Sequence, residues 1–412
     1  MKYYVFLTAN IHVVGGMQNY VEGKAEFLKE QGWNISVFFC GSNTGKCVIP
    51  ALDEYVSGGM EELVCCPGEW TKRIQQKVIN RMILYIGCEN DEEKEIIVES
   101  QNDVTALWGE MLAEKLEAKH VCFICNELFT GEGKYYKEHL DFFDFKHVRK
   151  ELTGIHEKSL GNLFGDYKKI LPEERYHFCA ATKEPIQEVE NGFLERFVKG
   201  DWTICYIGRA EKNYVEGIIK GVFKLALKYT EKQIQFIMVG NADSRKELLN
   251  EIFGNLNNAK LFLLGDMVPI PKALFKKVDV VVAGAGCANY AAYEKTPTIV
   301  ADAGNNKANG ILGYTTWDTL FHDSVQQLDF EEALEQVLVD RIQDRLKFKM
   351  PQKYGCDYYY RQHMEFVENS SKEFEYYKEI NRNMSKNYKK VVKYNLRHRF
   401  PLLAEIYKKM RS

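Results

Sequence analysis

The chain has 412 residues, too many for one ordinary hydrophobic core, so two or three domains are expected. Hydrophobic residues make up 45% and charged residues 27%, which excludes a disordered chain and fits a globular one. A formal net charge of -3 argues against nucleic acid as a partner of the whole protein.

The charge is unevenly spread. From Lys386 to Arg411 nine Lys or Arg stand against one acid, Glu405, so the rest of the chain is acidic and the tail is a local basic feature. The opening MKYYVFLTANIHVVGG lacks the apolar core and cleavage site of a signal peptide. No run approaches the length needed to span a bilayer. The expectation is a cytoplasmic protein whose eleven scattered cysteines are reduced thiols.

In chain order the pattern alternates strand and helix. YYVFLT reads as a strand, Met17 to Gln31 as a helix and ISVFF as a strand. EIIVES, the helix Asp103 to Glu117 and HVCFIC repeat the rhythm. Gly131 to Glu174 is less regular, rich in aromatics and charges, and RYHFCAAT reads as a strand closing the first half. The charged stretch Glu184 to Asp201 reads as a linker.

The rhythm then restarts. It runs through TICYIG, the helix Tyr214 to Tyr229, IQFIMVG, the helix Ser244 to Phe253, KLFLLG, a short helix near Lys272, VDVVVAG, another helix and TPTIVA. Phe330 to Phe348 reads as a further helix. Helices follow from Tyr358 to Met410, with a break before Pro401, which disfavours helix at Phe400. Short apolar strands separated by helices call for parallel sheets covered on both faces. Two such runs predict an α/β protein with two Rossmann-like doubly wound domains. Their expected spans are 1–190 and 200–355, with C-terminal helices over 356–412 that can pack back on the first domain.

Ligands of such sheets bind beyond the carboxyl ends of the strands. Three constellations fall there. Gly15 and Gly16 precede the first helix, where glycine lets backbone N–H groups approach an anion; the bland alternative is a plain turn. In CYIGRAEKNYVEG, Arg209 and Lys212 follow Gly208 ahead of a helix and suit a diphosphate; the alternative is a solvated loop. In VVVAGAGCANYAAYEKTPTIV, the residues Gly284, Gly286, Cys287, Ala288 and Asn289 make a small-residue turn into a helix. Such a turn offers donors to a phosphate. Glu294, read as lying within two turns of that helix start, can accept hydrogen bonds from ribose hydroxyls or stand exposed at a helix end.

Three features are set aside. GSNTGKC has the wrong glycine spacing for a nucleotide-triphosphate loop, and Cys47 stands where Ser or Thr would hold magnesium. Cys122 and Cys125 sit inside an apolar strand and read as core thiols. No D-x-D occurs, so the usual hint of a metal-bridged diphosphate is missing, and no metal site is assigned.

GGMQNYVEGKAEFLKEQGWNISVFF resembles the first glycine loop, helix and second strand of GT-B fold glycosyltransferases. YIGRAEKNYVEGIIKGVFKLALKYTEKQIQFIMVGN resembles the start of their nucleotide-sugar domain. LFLLGDMVPIPKALFKKVDVVVAGAGCANYAAYEKTPTIVADAG resembles the donor-binding core of the large retaining group, the family 4-like enzymes of bacterial polysaccharide synthesis. The resemblance spans both halves and implies two domains facing a central cleft.

Position by position, the resemblance implies that Gly15, Gly16, Gly208 and Gly240 lie against the donor. Arg209, with Lys212 beside it, would contact the diphosphate. Asp266 and Met267 would lie near the base, and Glu294 would hold the ribose as the second glutamate of a pair. Two positions depart from the pattern. The first glutamate falls at Gly286, and Asn126 and Glu127 stand where a histidine often follows the strand HVCFIC. Asn126 cannot change charge near neutral pH as histidine does.

The implied activity is transfer of a sugar from a UDP- or GDP-linked donor to a glycan or lipid-linked saccharide. It would be metal-independent, without a cofactor, and retaining. The leaving diphosphate would be stabilised by Arg209, Lys212 and the 284–289 turn. For an inverting course, Glu127 or His12 would be the general-base candidates. The basic tail suits an anionic inner-membrane surface and a role in envelope or capsule assembly; a solvated terminal helix is the alternative. A non-catalytic subunit binding a glycan or a partner glycosyltransferase is the competing function, and an epimerase on the same plan a third. A nicotinamide oxidoreductase is disfavoured because neither glycine loop has its fingerprint.

Overall fold

The computed structural model describes residues 1–42, 47–89, 91, 93–125, 136–164, 175, 186–322, 326–371, 373–381, 392, 394, 396 and 400. The chain divides into two compact units. One comprises Met1–Ala180 with Cys356–Ser412, the other Ala181–Gly355.

The first unit is built on six strands: β1 (Lys2–Thr8), β2 (Trp33–Phe39), β3 (Val56–Gly59), β4 (Glu95–Ser100), β5 (Lys119–Ile124) and β6 (Leu152–Gly154). All pair in parallel, in the order β3-β2-β1-β4-β5-β6. The helices are α1 (Gly16–Glu30), α2 (Lys72–Ile86), α3 (Asp103–Leu116), α4 (Tyr136–Val148) and α5 (Glu157–Gly161). Both faces of the sheet are covered, which is why strands such as YYVFLT read as unbroken apolar runs. Tyr4 and Phe6 pack toward α1, whereas Tyr3, Val5 and Leu7 pack toward α2 and α3. Start signals are local: Asn102 and Thr105 form a capping box on α3, and Thr71 caps α2, which ends at left-handed Gly87.

The second unit repeats the plan with β8 (Trp202–Ile207), β9 (Ile234–Val239), β10 (Ala259–Gly265), β12 (Val280–Ala283), β13 (Thr298–Ala301) and β14 (Ala308–Ile311). Their order is β10-β9-β8-β12-β13-β14, parallel except for β14, which runs against β13. A separate two-residue pair joins β7 (Ile186–Gln187) to β11 (Ile270–Pro271). The helices are α6 (Gly192–Arg196), α7 (Val215–Lys228), α8 (Lys246–Gly254), α9 (Ala273–Lys277), α10 (Ala285–Tyr293), α11 (Phe330–Leu338) and α12 (Ile342–Arg345). In α7 the buried residues Val215, Ile218, Ile219, Val222, Leu225 and Ala226 recur at helical spacing and form one stripe.

The chain then returns to the first unit as α13 (Cys356–Asn369). Tyr360, Met364 and Val367 join the core containing Tyr4, Phe6, Tyr20 and Phe27. Beneath them lies a buried ionic cluster. Lys24 Nζ donates to Glu99 Oε2 at 2.7 Å and to the Tyr4 hydroxyl at 2.7 Å, and lies against His363 Nδ1 of α13. Tyr20 bridges Glu99 and His363 at 3.2 and 3.1 Å. Lys24, Glu99 and His363 are all buried, so the charges of Lys24 and Glu99 are held by partners rather than water.

The alternating strands and helices appear where the sequence predicts them, with four differences. The irregular stretch from Gly131 holds α4 and β6, because α4 buries His139 and Lys146 beside Phe142 and Phe143 and so hides its inward face. The expected linker carries β7 and α6, anchored by Leu194 and Phe197. The single helix expected over Phe330 to Phe348 is two helices, broken near Arg341, which adopts φ 49°. Strands β3 and β14 and helix α2 were not anticipated; the two strands have four residues each and contain glycine. RYHFCAAT, apart from Arg175, lies outside the described residues, as do 401–412 and most of the basic tail.

Among the described residues no helix is long and apolar enough to cross a membrane, and ten cysteines are free thiols. Cys122 is buried on β5 and its thiol is pushed well up by burial.

Candidate functional site

In the second sheet the strand order reverses beside β8: β9 and β10 lie to one side, β12 and β13 to the other. A crevice for a ligand opens at such a reversal, beyond the carboxyl ends. Ile207 pairs in register with Ala283, so the loops that begin at Gly208 and Gly284 flank this point. The structure therefore brings Gly208, Arg209 and Lys212 to the same edge as Gly284, Gly286, Cys287, Ala288 and Asn289.

Close backbone packing shapes this edge. Gly208 N donates to Val239 O at 2.8 Å, Gly240 N to Gly265 O at 2.7 Å, and Ala210 N to Asn241 O at 2.9 Å. Gly208 adopts φ 154° and Gly240 φ 124°, conformations that side chains rarely take. The Tyr206 hydroxyl donates to Arg209 O at 2.9 Å, and Arg245 Nε to Ala210 O at 2.8 Å, pinning the loop from both sides. Arg209 itself stays one-third exposed, and its Nη1 lies 3.0 Å from Glu211 Oε1, also exposed. Such a pair is weak and can exchange for a phosphate. Lys212 is half-buried, its amide donating to Arg209 O at 3.3 Å.

Helix α10 begins at this edge with Gly284 as an extended N-cap that makes no side-chain capping bond; a Cβ there would stand 3.3 Å from the Ala301 carbonyl oxygen. Ala285, at φ 52°, donates its N–H to Thr319 O at 2.7 Å, so the 318–320 segment covers part of the turn. The Ala288 side chain is buried in the core, leaving Gly284, Gly286, Cys287 and Asn289 as the half-buried members of the set. Asp266 is exposed and Met267 half-buried just after β10.

Glu294 lies elsewhere. It is the C-cap of α10, nine residues past Ala285. Because β12 and β13 are parallel, the end of α10 leads back to the amino edge of the sheet. Its Oε2 stands 3.9 Å from Lys272 Nζ. The expectation that Glu294 sits within two turns of the helix start is thus corrected. The residue beside the start is Tyr290: helical side chains lean toward the N-terminus, and a Cβ on Gly286 would stand 3.5 Å from the Tyr290 hydroxyl. Sequence reasoning missed Tyr290, although its position four residues after Gly286 was legible.

In the first unit the strand order reverses between β1 and β4. Gly15 is the extended N-cap of α1, and a Cβ on Gly16 would meet nothing within 4 Å. His12 packs edge-on against Phe39 at 5.3 Å, its amide donating to Asn10 Oδ1 at 2.6 Å. Thr8 ends β1 and Gln101 directly follows β4 here. Both are buried, yet Thr8 Oγ1 and Gln101 Oε1 have no hydrogen-bond partner among the described residues. Nothing in the sequence pattern marked them. Asn126 and Glu127 lie outside the described residues.

A second polar group in the first unit imitates a catalytic triad. Ser100 Oγ lies 3.0 Å from His120 Nε2, and His120 Nδ1 lies 2.6 Å from Glu110 Oε2. All three are buried, and a Cβ on Gly109 would stand 2.1 Å from Ser100 Oγ, so no substrate reaches the serine. Burial, then the nearby Lys146 cation, holds His120 down to about 4 against the pull of Glu110. Burial raises Glu110, but Lys146 and His120 outweigh it and hold the carboxyl at about 2. The group is a structural network tying α3, β5 and α4. Among the described residues no cluster of His, Cys, Asp or Glu is arranged to hold a metal ion.

Two doubly wound parallel sheets in tandem are the fold of GT-B glycosyltransferases. The chain is similar to a glycosyltransferase from Rickettsia africae, at 13% identity over 89% of this chain and 98% of that one, with a TM-score of 0.55. It is also similar to HepE of Anabaena, solved with UDP and glucose, at 10% identity over 90% and 95%, with a TM-score of 0.53. A UDP-GlcNAc 2-epimerase from Neisseria meningitidis aligns at 13% identity over 90% of this chain and 100% of that one, with a TM-score of 0.49. No protein-family model and no curated protein matches the sequence.

Proposed function

We propose that the protein is a glycosyltransferase that uses a nucleotide-sugar donor. The observation that carries this reading is the pairing of Arg209 with the small-residue start of α10 across the reversal of strand order in the second unit. A diphosphate there would meet a guanidinium and the positive end of a helix. Both would stabilise the charge that develops on the leaving group as the sugar bond breaks. Gly208 and Gly240 keep the approach narrow and free of side chains. HepE, of like fold, was solved with UDP and glucose, which supports testing uridine nucleotides first.

In the same proposal the donor is UDP- or GDP-linked, no metal takes part, and configuration is retained with the leaving phosphate accepting the acceptor's proton. Thr8 and Gln101 at the edge of the first sheet are the candidates to meet a glycan or lipid-linked saccharide acceptor, as in envelope or capsule synthesis. Glu294 enters this proposal only as a distant contributor, given its place at the far end of α10.

A thermal-shift panel of UDP, GDP and their sugar conjugates tests the reading. A ligand held at about 100 times its Kd stabilises the native state by roughly 2.7 kcal/mol. One nucleotide class is expected to raise the melting temperature, and Arg209→Ala to cut that rise by about half or more at the same ligand concentration. Transfer to an acceptor then separates a transferase from an epimerase, which would change the nucleotide sugar alone. Absence of any shift would favour a non-catalytic subunit.

A further inference from the structure

The edge that carries Arg209 and the start of α10 continues one strand outward, where β13 ends at Ala301. The next residue, Asp302, is 2% exposed. A buried carboxylate needs partners that replace water. Its Oδ1 accepts from Gly304 N at 2.7 Å, and its Oδ2 accepts from His322 N at 2.7 Å and from Gln327 Nε2 at 3.1 Å. Gln327 is itself fixed by Asn309 Oδ1 at 2.9 Å and Asn305 Nδ2 at 3.0 Å.

Among the described residues no Lys or Arg pairs with this carboxylate; its ionisable partner is His322, whose Nδ1 stands 3.4 Å from Oδ2. The two ring nitrogens of an imidazole are distinct, so with Nδ1 toward Asp302 the Nε2 atom faces away from it. The His322 side chain is 47% exposed. A buried acid thus orients an accessible imidazole, which can then offer its second nitrogen to a ligand. The segment that bears it is tied to the edge of the site. Thr319 O accepts from Ala285 N at 2.7 Å, and Leu320 O from Ala303 N at 2.7 Å.

We infer that His322 is a second phosphate-binding residue, meeting the outer phosphate of a nucleoside diphosphate through Nε2, and that Asp302 is its positioning residue. The inference rests on the donor reading above. With the base on the β10 side, the nucleoside, inner phosphate and outer phosphate run past β8 and β12 toward β13, strand ends that stand about 4.8 Å apart. His322, beside the end of β13, meets the phosphate farther from the nucleoside, and a monophosphate stops short of it.

Calorimetric titration of the full chain with UDP, UMP, GDP and GMP tests this. His322→Ala should weaken binding of the diphosphate roughly 10-fold, and of the matching monophosphate less than about 2-fold. The melting temperature without ligand should not change, because the side chain is half-exposed and the bond from the residue 322 amide to Asp302 survives. Asp302→Asn should give the same diphosphate-selective loss, and adding it to His322→Ala should cost nothing more, since the two act as one unit. If Asp302→Asn lowers the melting temperature, His322→Ala alone decides. Equal losses for diphosphate and monophosphate overturn the inference. So does unchanged diphosphate affinity in His322→Ala while Arg209→Ala weakens it, an outcome that leaves the donor reading standing. If neither UDP nor GDP binds the wild-type chain, the donor reading and the inference fall together.

Discussion

Gly240 lies so close to Gly208 that a Cβ on it would stand 2.2 Å from the Gly208 carbonyl oxygen. The contact is backbone to backbone, so no side chain can swing aside. Gly240→Ala must displace the Gly208–Arg209 loop or strain its own φ of 124°. Strain of this kind costs about 1–3 kcal/mol. The expected result is loss of the nucleotide-induced thermal shift together with a lower melting temperature. Gly254→Ala, at a site with nothing within 4 Å, is the control and should change stability by no more than about 1 kcal/mol.

Arg209→Ala should weaken nucleotide binding about 10- to 100-fold, the loss of a charge-assisted contact worth roughly 1.5–3 kcal/mol. Glu211→Gln frees the guanidinium from its 3.0 Å partner and should leave affinity equal or higher. Glu294→Gln, at the other end of α10, should cost less than about 3-fold, under 1 kcal/mol. Calorimetric titration of the three variants checks the ranking. If Glu294→Gln costs as much as Arg209→Ala, the ligand does not sit at the carboxyl edge as placed here.

Stability should fall in mild acid through the first unit. Burial, then Lys146, lowers His120 from 6.5 to about 4, and burial lowers His139 from 6.5 to about 4. A lowered folded value means that the unfolded chain binds these protons first, so stability declines as pH drops from about 6.5 to about 4. For one such histidine the full effect is on the order of 3 kcal/mol. Glu110, held at about 2 by Lys146 and His120 against its burial, loses its contribution only below the ordinary carboxylate range. Calorimetry between pH 7 and 4.5 should show the first unit melting progressively earlier, and His139→Gln should flatten that slope. An unchanged slope in this variant removes His139 as a sensor.

Lys24→Met should be strongly destabilising, because it leaves Glu99 buried without its 2.7 Å partner. Breaking one side of a buried pair costs about 3–5 kcal/mol. Hydrogen exchange should rise over α13, whose His363 shares the cluster. Lys24→Met with Glu99→Gln should recover much of the loss. A Lys24→Met protein with wild-type protection in α13 would show that the cluster does not hold the returning helix.

Much of the architecture was legible because a parallel sheet buries whole strands. TICYIG, IQFIMVG and VDVVVAG are apolar along their length, and each ends in a glycine that marks the edge. The same logic led to Gly208, Arg209 and the 284–289 turn, since position after a strand is a local property. Glu294 was misplaced because its distance along the chain from Gly286 was read without the helix's direction across the sheet. Tyr290, Thr8 and Gln101 went unnoticed for a related reason: their neighbours come from other strands or the preceding helical turn.

Sequence alone determined the alternation of strands and helices, the carboxyl-edge loops and the basic tail, all of which depend on residues close in the chain. Tertiary structure decided which charges are buried. Lys24 and His363 are separated by 339 residues along the chain, yet they share one carboxylate. Lys146 looks like a solvent-facing residue until β5 and α3 close over it. Desolvation and pairing are set by neighbours that only the folded chain brings together, and no local pattern carries that information.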